Sequence, residues 1–286
     1  MVRPLHLTGP TQLRLGEDSY DVTTRALVMG ILNRTHDSFF APAATFQMDD
    51  FLKRADALVD EGADVLDVGG VRAGPGVEVT EAEELDRVVP AVEALAARFD
   101  VPLSIDTWRA SVAAQCFRAG AVLGNDISGF ADPDYLAVAA AAGASVVATH
   151  IRLRPRVADP NPVYDDLVGD VRTFLLDRAT WALEAGIPAE RVIVDAGLDL
   201  GKTADQSLEL LRRSDVLASL GYPLLLSASN KTFLGVLFDL VVTERRDESL
   251  AAAALGVTLG CRILRVHDVA GTVRVRDALQ SVLEAL

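Results

Sequence analysis

Eight short runs of Val, Ile, Leu and Ala in this chain each stop on a residue that can ionise, donate or accept a hydrogen bond. The stops are Asn33, Asp67, Asp106, Asn125, His150, Asp195, Ser229 with Lys231, and Arg265 with His267. A buried parallel strand reads as a continuous apolar run, so each stop is a polar group delivered to the end of a strand. Arg265 and His267 lie two apart, which on a strand puts both side chains on one face. With Lys231 they form a candidate cationic cluster for an anionic ligand, and the planar fork of arginine suits phosphate oxygens. Plainer readings stand beside these. Asp106 and Asn125 could cap the helices that follow them, Arg265 could pair with Asp268 in an exposed ion pair, and His150 could be a buried structural residue.

Groups so dispersed act together only if the fold brings the strand ends to one place. The strand candidates are 26–32, 64–68, 102–105, 121–124, 145–149, 192–195, 223–227 and 263–266. Helical patterns alternate with them. Val171, Phe174, Leu175, Ala179 and Ala182 recur at spacings of three and four, and Thr80 with Glu83 reads as a capping box. Gly62, Gly120, Gly143 and Gly186 stand where a left-handed residue closes a helix before the next strand. The pattern predicts an α/β chain folded as a (β/α)8 TIM barrel, with chemistry at the carboxyl ends of its strands. A doubly wound open sheet is the alternative, because strand order is not legible from sequence. Residues 4–16 alternate around Gly9-Pro10, which predicts an N-terminal β-hairpin extension within residues 1–25. No linker or composition break divides residues 1–286, so one barrel domain is expected.

Composition narrows the function. The net charge of -14 argues against nucleic acid or an anionic membrane as a partner. With half the residues hydrophobic and only 6% aromatic, the core must be aliphatic. Cys116 and Cys261 fit neither a disulfide framework nor a structural zinc site. No secretory leader and no membrane span are apparent, so a cytoplasmic location is expected.

Seven segments then carry a family resemblance: MGILNRTHDSFF (29–40), DVLDVGGVRAGPG (64–76), LSIDTWRASVA (103–113), NDISG (125–129), DAGLDLGKT (195–203), SASNKTFLG (227–235) and ILRVHDV (263–269). In this order they resemble dihydropteroate synthase, over nearly the whole chain. The resemblance implies a homodimeric TIM barrel of folate biosynthesis. Such enzymes join 7,8-dihydropterin-CH2-pyrophosphate to para-aminobenzoate, releasing pyrophosphate with the help of Mg2+. It assigns pterin binding to Asp106, Asn125, Asp195 and Lys231. Asn33, Arg265 and His267 take the pyrophosphate, with Asn33 a metal ligand. Lys231, Arg265, His267 and Asp106 are the catalytic candidates. His150 matches a strand-end position, and His36, Asp37 and Arg72 fall on the two loops the family folds over the reacting methylene.

The departures fall together. Where the family reads Gly-Gly-Glu-Ser-Thr-Arg-Pro-Gly, this chain has Gly69-Gly70-Val71-Arg72-Ala73-Gly74-Pro75-Gly76. The threonine hydroxyl and arginine guanidinium of that loop are thereby missing, with Arg72 two positions early. In the first loop His36 replaces Pro, and Phe40-Ala41-Pro42 replaces a Ser-Asp-Gly run. Asn230 replaces the Arg of Ser-Arg-Lys, and Leu200 replaces an aromatic. In its Gly-Gly-Val-Arg-Ala-Gly-Pro-Gly and Ser-Asn-Lys segments the chain resembles a divergent second-copy subgroup regarded as poor or inactive at dihydropteroate synthesis. Three functions follow: a synthase using para-aminobenzoate or another amine, a pterin-binding paralogue without catalysis, and a methyltetrahydrofolate-type methyltransferase. The last has no need of the phosphate-type pair Arg265 and His267.

Overall fold

The computed structural model describes residues 12–34 and 47–285. Strands β1 (Gln12–Leu15) and β2 (Asp18–Asp21) form an antiparallel hairpin. The barrel strands are β3 (Leu27–Asn33), β4 (Val65–Gly69), β5 (Leu103–Asp106), β6 (Leu123–Asp126), β7 (Ser145–Thr149), β8 (Val192–Asp195), β9 (Leu224–Leu226) and β10 (Cys261–Val266). They pair in parallel in that order, and β10 closes onto β3. Among the described residues this is a (β/α)8 barrel, not the open sheet. The helices used below are α1 (Met48–Asp60), α2 (Glu81–Ala96), α3 (Ala110–Ala119), α4 (Tyr135–Ala141), α5 (Leu167–Glu184), α6 (Ala204–Arg212), α7 (Ser214–Ala218), α8 (Thr232–Phe238), α9 (Arg246–Thr258) and α10 (Val269–Glu284).

Period-2 alternation explains why the strands look continuously apolar yet present polar groups. Val28, Leu32, Leu66, Val68, Ile105, Val194 and Leu264 face outward into the layer shared with the helices. The alternate residues Leu27, Met29, Val65, Leu123, Val147, Ile193, Leu225 and Ile263 fill the barrel near its amino-terminal end. Farther along the same inward rows come Asn33, Asp67, Asp106, Asn125, Asp195 and Arg265. The barrel thus has a dry floor and a polar mouth.

The hairpin seals the floor. Leu13, Leu15 and Val22 are buried against the inward apolar layer. Ser145 Oγ donates to the Arg14 carbonyl at 2.5 Å, and Arg191 Nη2 donates to the Gly16 carbonyl at 2.7 Å. Its turn is Gly16-Glu17, because Gly16 takes a φ of +61° there. The expected turn at Gly9-Pro10 lies outside the described residues.

Local signals held. The Thr80–Glu83 capping box opens α2, and α5 buries Val171, Leu175, Ala179 and Ala182 along one stripe. Gly120, with φ +118°, closes α3, and a Cβ there would lie 2.7 Å from that of Ala96. No helix among the described residues is long and apolar enough to cross a membrane. Cys116 and Cys261 are buried and unpaired, with burial raising each thiol to about 12.

Candidate active site

The polar mouth is organised around Arg265. Its Nε donates to Asp67 Oδ2 at 2.6 Å and its Nη2 to Asp106 Oδ2 at 2.7 Å. Three strands meet in that contact: β10 supplies the guanidinium, β4 and β5 the carboxylates. Ser104 Oγ donates to Asp67 Oδ1 at 2.6 Å, and Asn125 Nδ2 approaches both Asp67 oxygens at 3.3 and 3.4 Å. Asp106 is in register with Asn125 on the neighbouring strand. Asp106, Asn125 and Arg265 are thus brought into one buried network whose centre is Asp67.

Asp195 ends β8, where its Oδ1 accepts from the Gly197 amide at 2.8 Å. A Cβ on Gly197 would sit 1.9 Å from the His150 carbonyl oxygen, and its φ is +64°, so only glycine makes this turn. Lys231 precedes α8. The cost of a cation at a helix start is relieved by Asp199, whose carboxylate accepts from the amides of Thr232 at 2.5 Å and Phe233 at 3.2 Å. Lys231 also acts on both pocket carboxylates, favouring the ionised forms of Asp106 and Asp195.

Burial and charge act in opposition here. Burial raises Asp106 to about 7, with Asp67 and Glu84 adding to the rise and Arg265 and Lys231 opposing it. Burial likewise raises Asp195, against the Gly197 amide and the cations Lys231, Lys202 and Arg265. His267, one residue beyond β10, is lowered to about 4 by burial and by Arg265, Lys231 and Arg54, so it is neutral at pH 7. Ser229 Oγ accepts from the His267 backbone amide at 3.2 Å and lies 3.0 Å from Nδ1. A neutral imidazole carries its proton on one ring nitrogen, so His267 keeps one ring N–H donor.

Several plainer readings fall away. Neither Asp106 nor Asn125 caps a helix; the Ala110 amide at the start of α3 donates instead to Asp132 at 2.9 Å. Asp268 does not pair with Arg265. It accepts from the Gly271 amide at the start of α10 at 2.9 Å and pairs with Arg246 at 2.8 Å. His150 is structural: its ring meets Phe174 edge-on at 4.8 Å, its Nδ1 lies 2.9 Å from Lys202 Nζ, and burial holds it down to about 3.

Sequence reading passed over two buried groups. Asp67 appears among the strand stops, yet no role attached to it because it sits mid-strand, inward, two residues before the end of β4. Lys202 lies inside a quoted motif. Its ammonium donates to the carbonyls of Gly197 at 2.9 Å and Leu200 at 3.0 Å, and burial pushes it down to about 7. Behind the mouth, fully buried Glu84 of α2 accepts from Thr107 Oγ1 at 2.6 Å and pairs with Arg109.

Of the two loops over the mouth, His36, Asp37 and Phe40-Ala41-Pro42 lie outside the described residues. The second loop is pinned by Arg156. Its backbone amide donates to the Ala73 carbonyl at 3.1 Å, and its guanidinium to the carbonyls of Arg72 at 2.9 Å and Val77 at 2.5 Å. Arg72 folds back toward Gly74, its Nε 3.7 Å from where a Cβ on that glycine would be.

Residues 29–267 match the family of pterin binding enzymes. The chain is 38% identical over 261 residues to the dihydropteroate synthase of Bacillus subtilis, covering 91% of this chain and 89% of that one. It is 42% identical over 264 residues to the inactive dihydropteroate synthase 2 of Mycobacterium leprae, covering 90% of this chain and 91% of that one. The crystal structure of Yersinia pestis dihydropteroate synthase in complex with a sulfonamide drug superimposes with a TM-score of 0.91 at 37% identity, over 96% of this chain and 100% of that one.

Proposed function

The chain belongs to the pterin binding enzyme family and is a relative of the dihydropteroate synthases; from that premise we propose that its barrel mouth binds 7,8-dihydropterin-CH2-pyrophosphate and alkylates an amine with it. The observation that carries this reading is the buried network of Asp67, Asp106, Asn125 and Arg265 beside Lys231. A pterin ring is flat, with donors and acceptors along its edges. Asp106 and Asp195 accept from its N–H groups, Asn125 both accepts and donates, and Lys231 reaches the ring side. The carbon–oxygen bond to the diphosphate breaks as the amine lone pair forms a carbon–nitrogen bond to the methylene, and the amine proton is lost. The His267 imidazole and the remaining donors of Arg265 stabilise the departing oxygens.

Asn33 ends β3 beside Gly69, whose missing side chain leaves the Asn33 amide uncovered: a Cβ on Gly69 would be 2.9 Å from Asn33 Oδ1. That lone amide oxygen fits one position in the shell of Mg2+, an ion that draws its other ligands from diphosphate and water. Asn33 would hold Mg2+ there, and the ion when bound would supply neutralising charge for the leaving pyrophosphate. Among the described residues no three His, Cys, Asp or Glu side chains form a metal cluster.

A second reading, a pterin-binding protein that does not turn over, is favoured by Ala73 and Gly74. Calorimetric titration with pterin pyrophosphate, with and without Mg2+, followed by assay of pyrophosphate release with para-aminobenzoate, separates the two. Absence of binding ends both. Binding also has an expected pH profile. The ring N–H groups need Asp106 ionised, so affinity rises with pH through about 7 and then levels. Asp106→Asn lowers affinity and flattens the curve; an unaltered profile in that variant removes Asp106 from ring binding.

We also assign a homodimer contact to the apolar run after the centre of α8, where Val236, Phe238 and Val241 are 66%, 58% and 61% exposed. Sedimentation of Phe238→Glu, set against the unmodified chain, is expected to show a monomer in place of a dimer. Two buried, unpaired thiols suit the reducing cytoplasm in which we place the protein.

A further inference from the structure

The segment after β7 is unlike the rest of this acidic chain. Residues 150–156 read His-Ile-Arg-Leu-Arg-Pro-Arg, with three arginines and no acid, in a protein of net charge -14. It faces the altered second loop across a cleft of about 250 Å³, walled by Ala73, Gly74 and Pro75 on one side and by Leu153, Arg154 and Arg156 on the other. The cleft floor is the Leu200-Gly201-Lys202 turn, which leads back to Asp195 of the ring pocket. Asp199 links the two, for it lines the cleft and accepts from the Thr232 amide, next to Lys231.

Each cation of this rim has a different fate. Arg152 is neutralised by Asp159 through two hydrogen bonds, at 2.5 and 3.0 Å. Among the described residues the guanidinium of Arg156 meets only the carbonyls of Arg72 and Val77, so its charge is held in place there without an opposing carboxylate. Its backbone adopts φ +65°, a conformation that L residues rarely take, to reach across to the loop. Arg154 is exposed and has no side-chain partner among the described residues. In the ring pocket Arg265 holds two carboxylates, Lys231 acts on Asp106 and Asp195, and the first amides of α8 are taken by Asp199. An anion in the cleft would find positive charge without a carboxylate partner at Arg154 and Arg156.

We propose that this cleft is an anion subsite for the tail of the second substrate, and that the amine used by this chain is an aryl amine whose carboxylate stands farther from the ring than in para-aminobenzoate. The proposal rests on the pterin-binding reading above. Small residues at Ala73 and Gly74 open the passage from the reacting methylene to the cleft. Arg156 keeps the loop out of that passage, and Arg154 meets the carboxylate at its end. The loop substitutions that remove the contacts of the usual amine are, in this account, what creates room for a longer one.

The test begins with titration of 6-hydroxymethylpterin, in the presence of Mg2+ and inorganic pyrophosphate, into the full chain. The saturated protein is then titrated with para-aminobenzoate, with para-aminobenzoylglycine, whose carboxylate is moved outward by roughly 3.5 Å, and with the uncharged amide of the latter. The glycine conjugate is expected to bind at least tenfold more tightly than either of the others. Arg154→Ala is expected to abolish that advantage, with its own pterin titration as the check on folding. Equal binding of the conjugate and its amide, or an advantage that survives in Arg154→Ala, overturns the subsite. If pterin fails to bind, the reading of the ring pocket falls by itself. The cleft is then judged by titrating para-aminobenzoylglycine into the unliganded chain, where binding lost in Arg154→Ala sustains the subsite and no binding ends it.

Discussion

Replacing Arg265 with methionine is expected to lower the unfolding free energy by about 3–5 kcal/mol and to abolish pterin binding. Asp67 is fully buried and Asp106 nearly so, and both carboxylates depend on the one guanidinium. Methionine fills much of the volume but leaves two buried acids side by side, and one must take up a proton at neutral pH. The pH dependence gives the effect a signature. Asp106 already lies above its ordinary value, and removal of Arg265 raises it further. An acid raised in the folded state binds more protons folded than unfolded, so stability falls as pH climbs from the unfolded value near 4 toward the raised one. The unmodified protein shares that fall up to about pH 7, so the part of the Arg265→Met deficit carried by Asp106 is small below 7 and grows as pH climbs past it. Adding Asp67→Asn removes one unpaired charge and is expected to restore part of the stability but none of the binding. Urea midpoints of the three proteins across pH 4–8 check this; a deficit independent of pH, or no recovery in the double variant, overturns the account.

That network also shows where a sequence stops being legible. Strand positions were readable because eight apolar runs of Val, Ile, Leu and Ala have few other uses. The capping box at Thr80 and the closing glycine at Gly120 were readable because each is a local device with its partner a few residues away. Asp67 was not readable as a hub. Its partners Arg265, Asn125 and Ser104 lie 198, 58 and 37 residues away in sequence, and its position mid-strand looks like an interruption of an apolar run. The assignment of Arg265 to pyrophosphate also took no account of what else the guanidinium touches. In the fold it is first a counter-ion for two acids, and only its remaining donors face the mouth.

The hairpin illustrates a different limit. Leu13 and Leu15 alternate onto one side of β1, and both are buried against the barrel floor. Gly9-Pro10 lies outside the described residues, and the Gly16-Glu17 turn between β1 and β2 is set by what those strands pack on. The latter turn puts Gly16 against Val122, with a hypothetical Cβ only 3.1 Å from a Val122 methyl, and lets Arg191 reach its carbonyl. Tertiary contact, absent from a local reading, fixes the turn.

The largest gain of activity is expected from the loop itself, in the double variant Ala73→Thr with Gly74→Arg. Each replacement restores a polar group where the resembling synthases carry one, a hydroxyl and a guanidinium aimed at the amine and the pyrophosphate. The backbone allows it. Gly74 does not occupy the left-handed region, and a Cβ there meets only the flexible Arg72 side chain at 3.7 Å. Ala73 already carries its Cβ and offers its carbonyl to the Arg156 amide at 3.1 Å, a contact that threonine preserves. A positioned donor of this kind contributes about two to three orders of magnitude to the rate of such a step. Pyrophosphate release with para-aminobenzoate should therefore rise by roughly 100-fold or more, mainly in kcat. The longer side chain also closes the passage toward Arg154, so preference for a displaced carboxylate should weaken in the same protein. A correctly folded double variant with no gain in rate would show that Ala73 and Gly74 are not what limits synthesis, and the defect would have to be sought in the first loop or in Asn230 and Leu200.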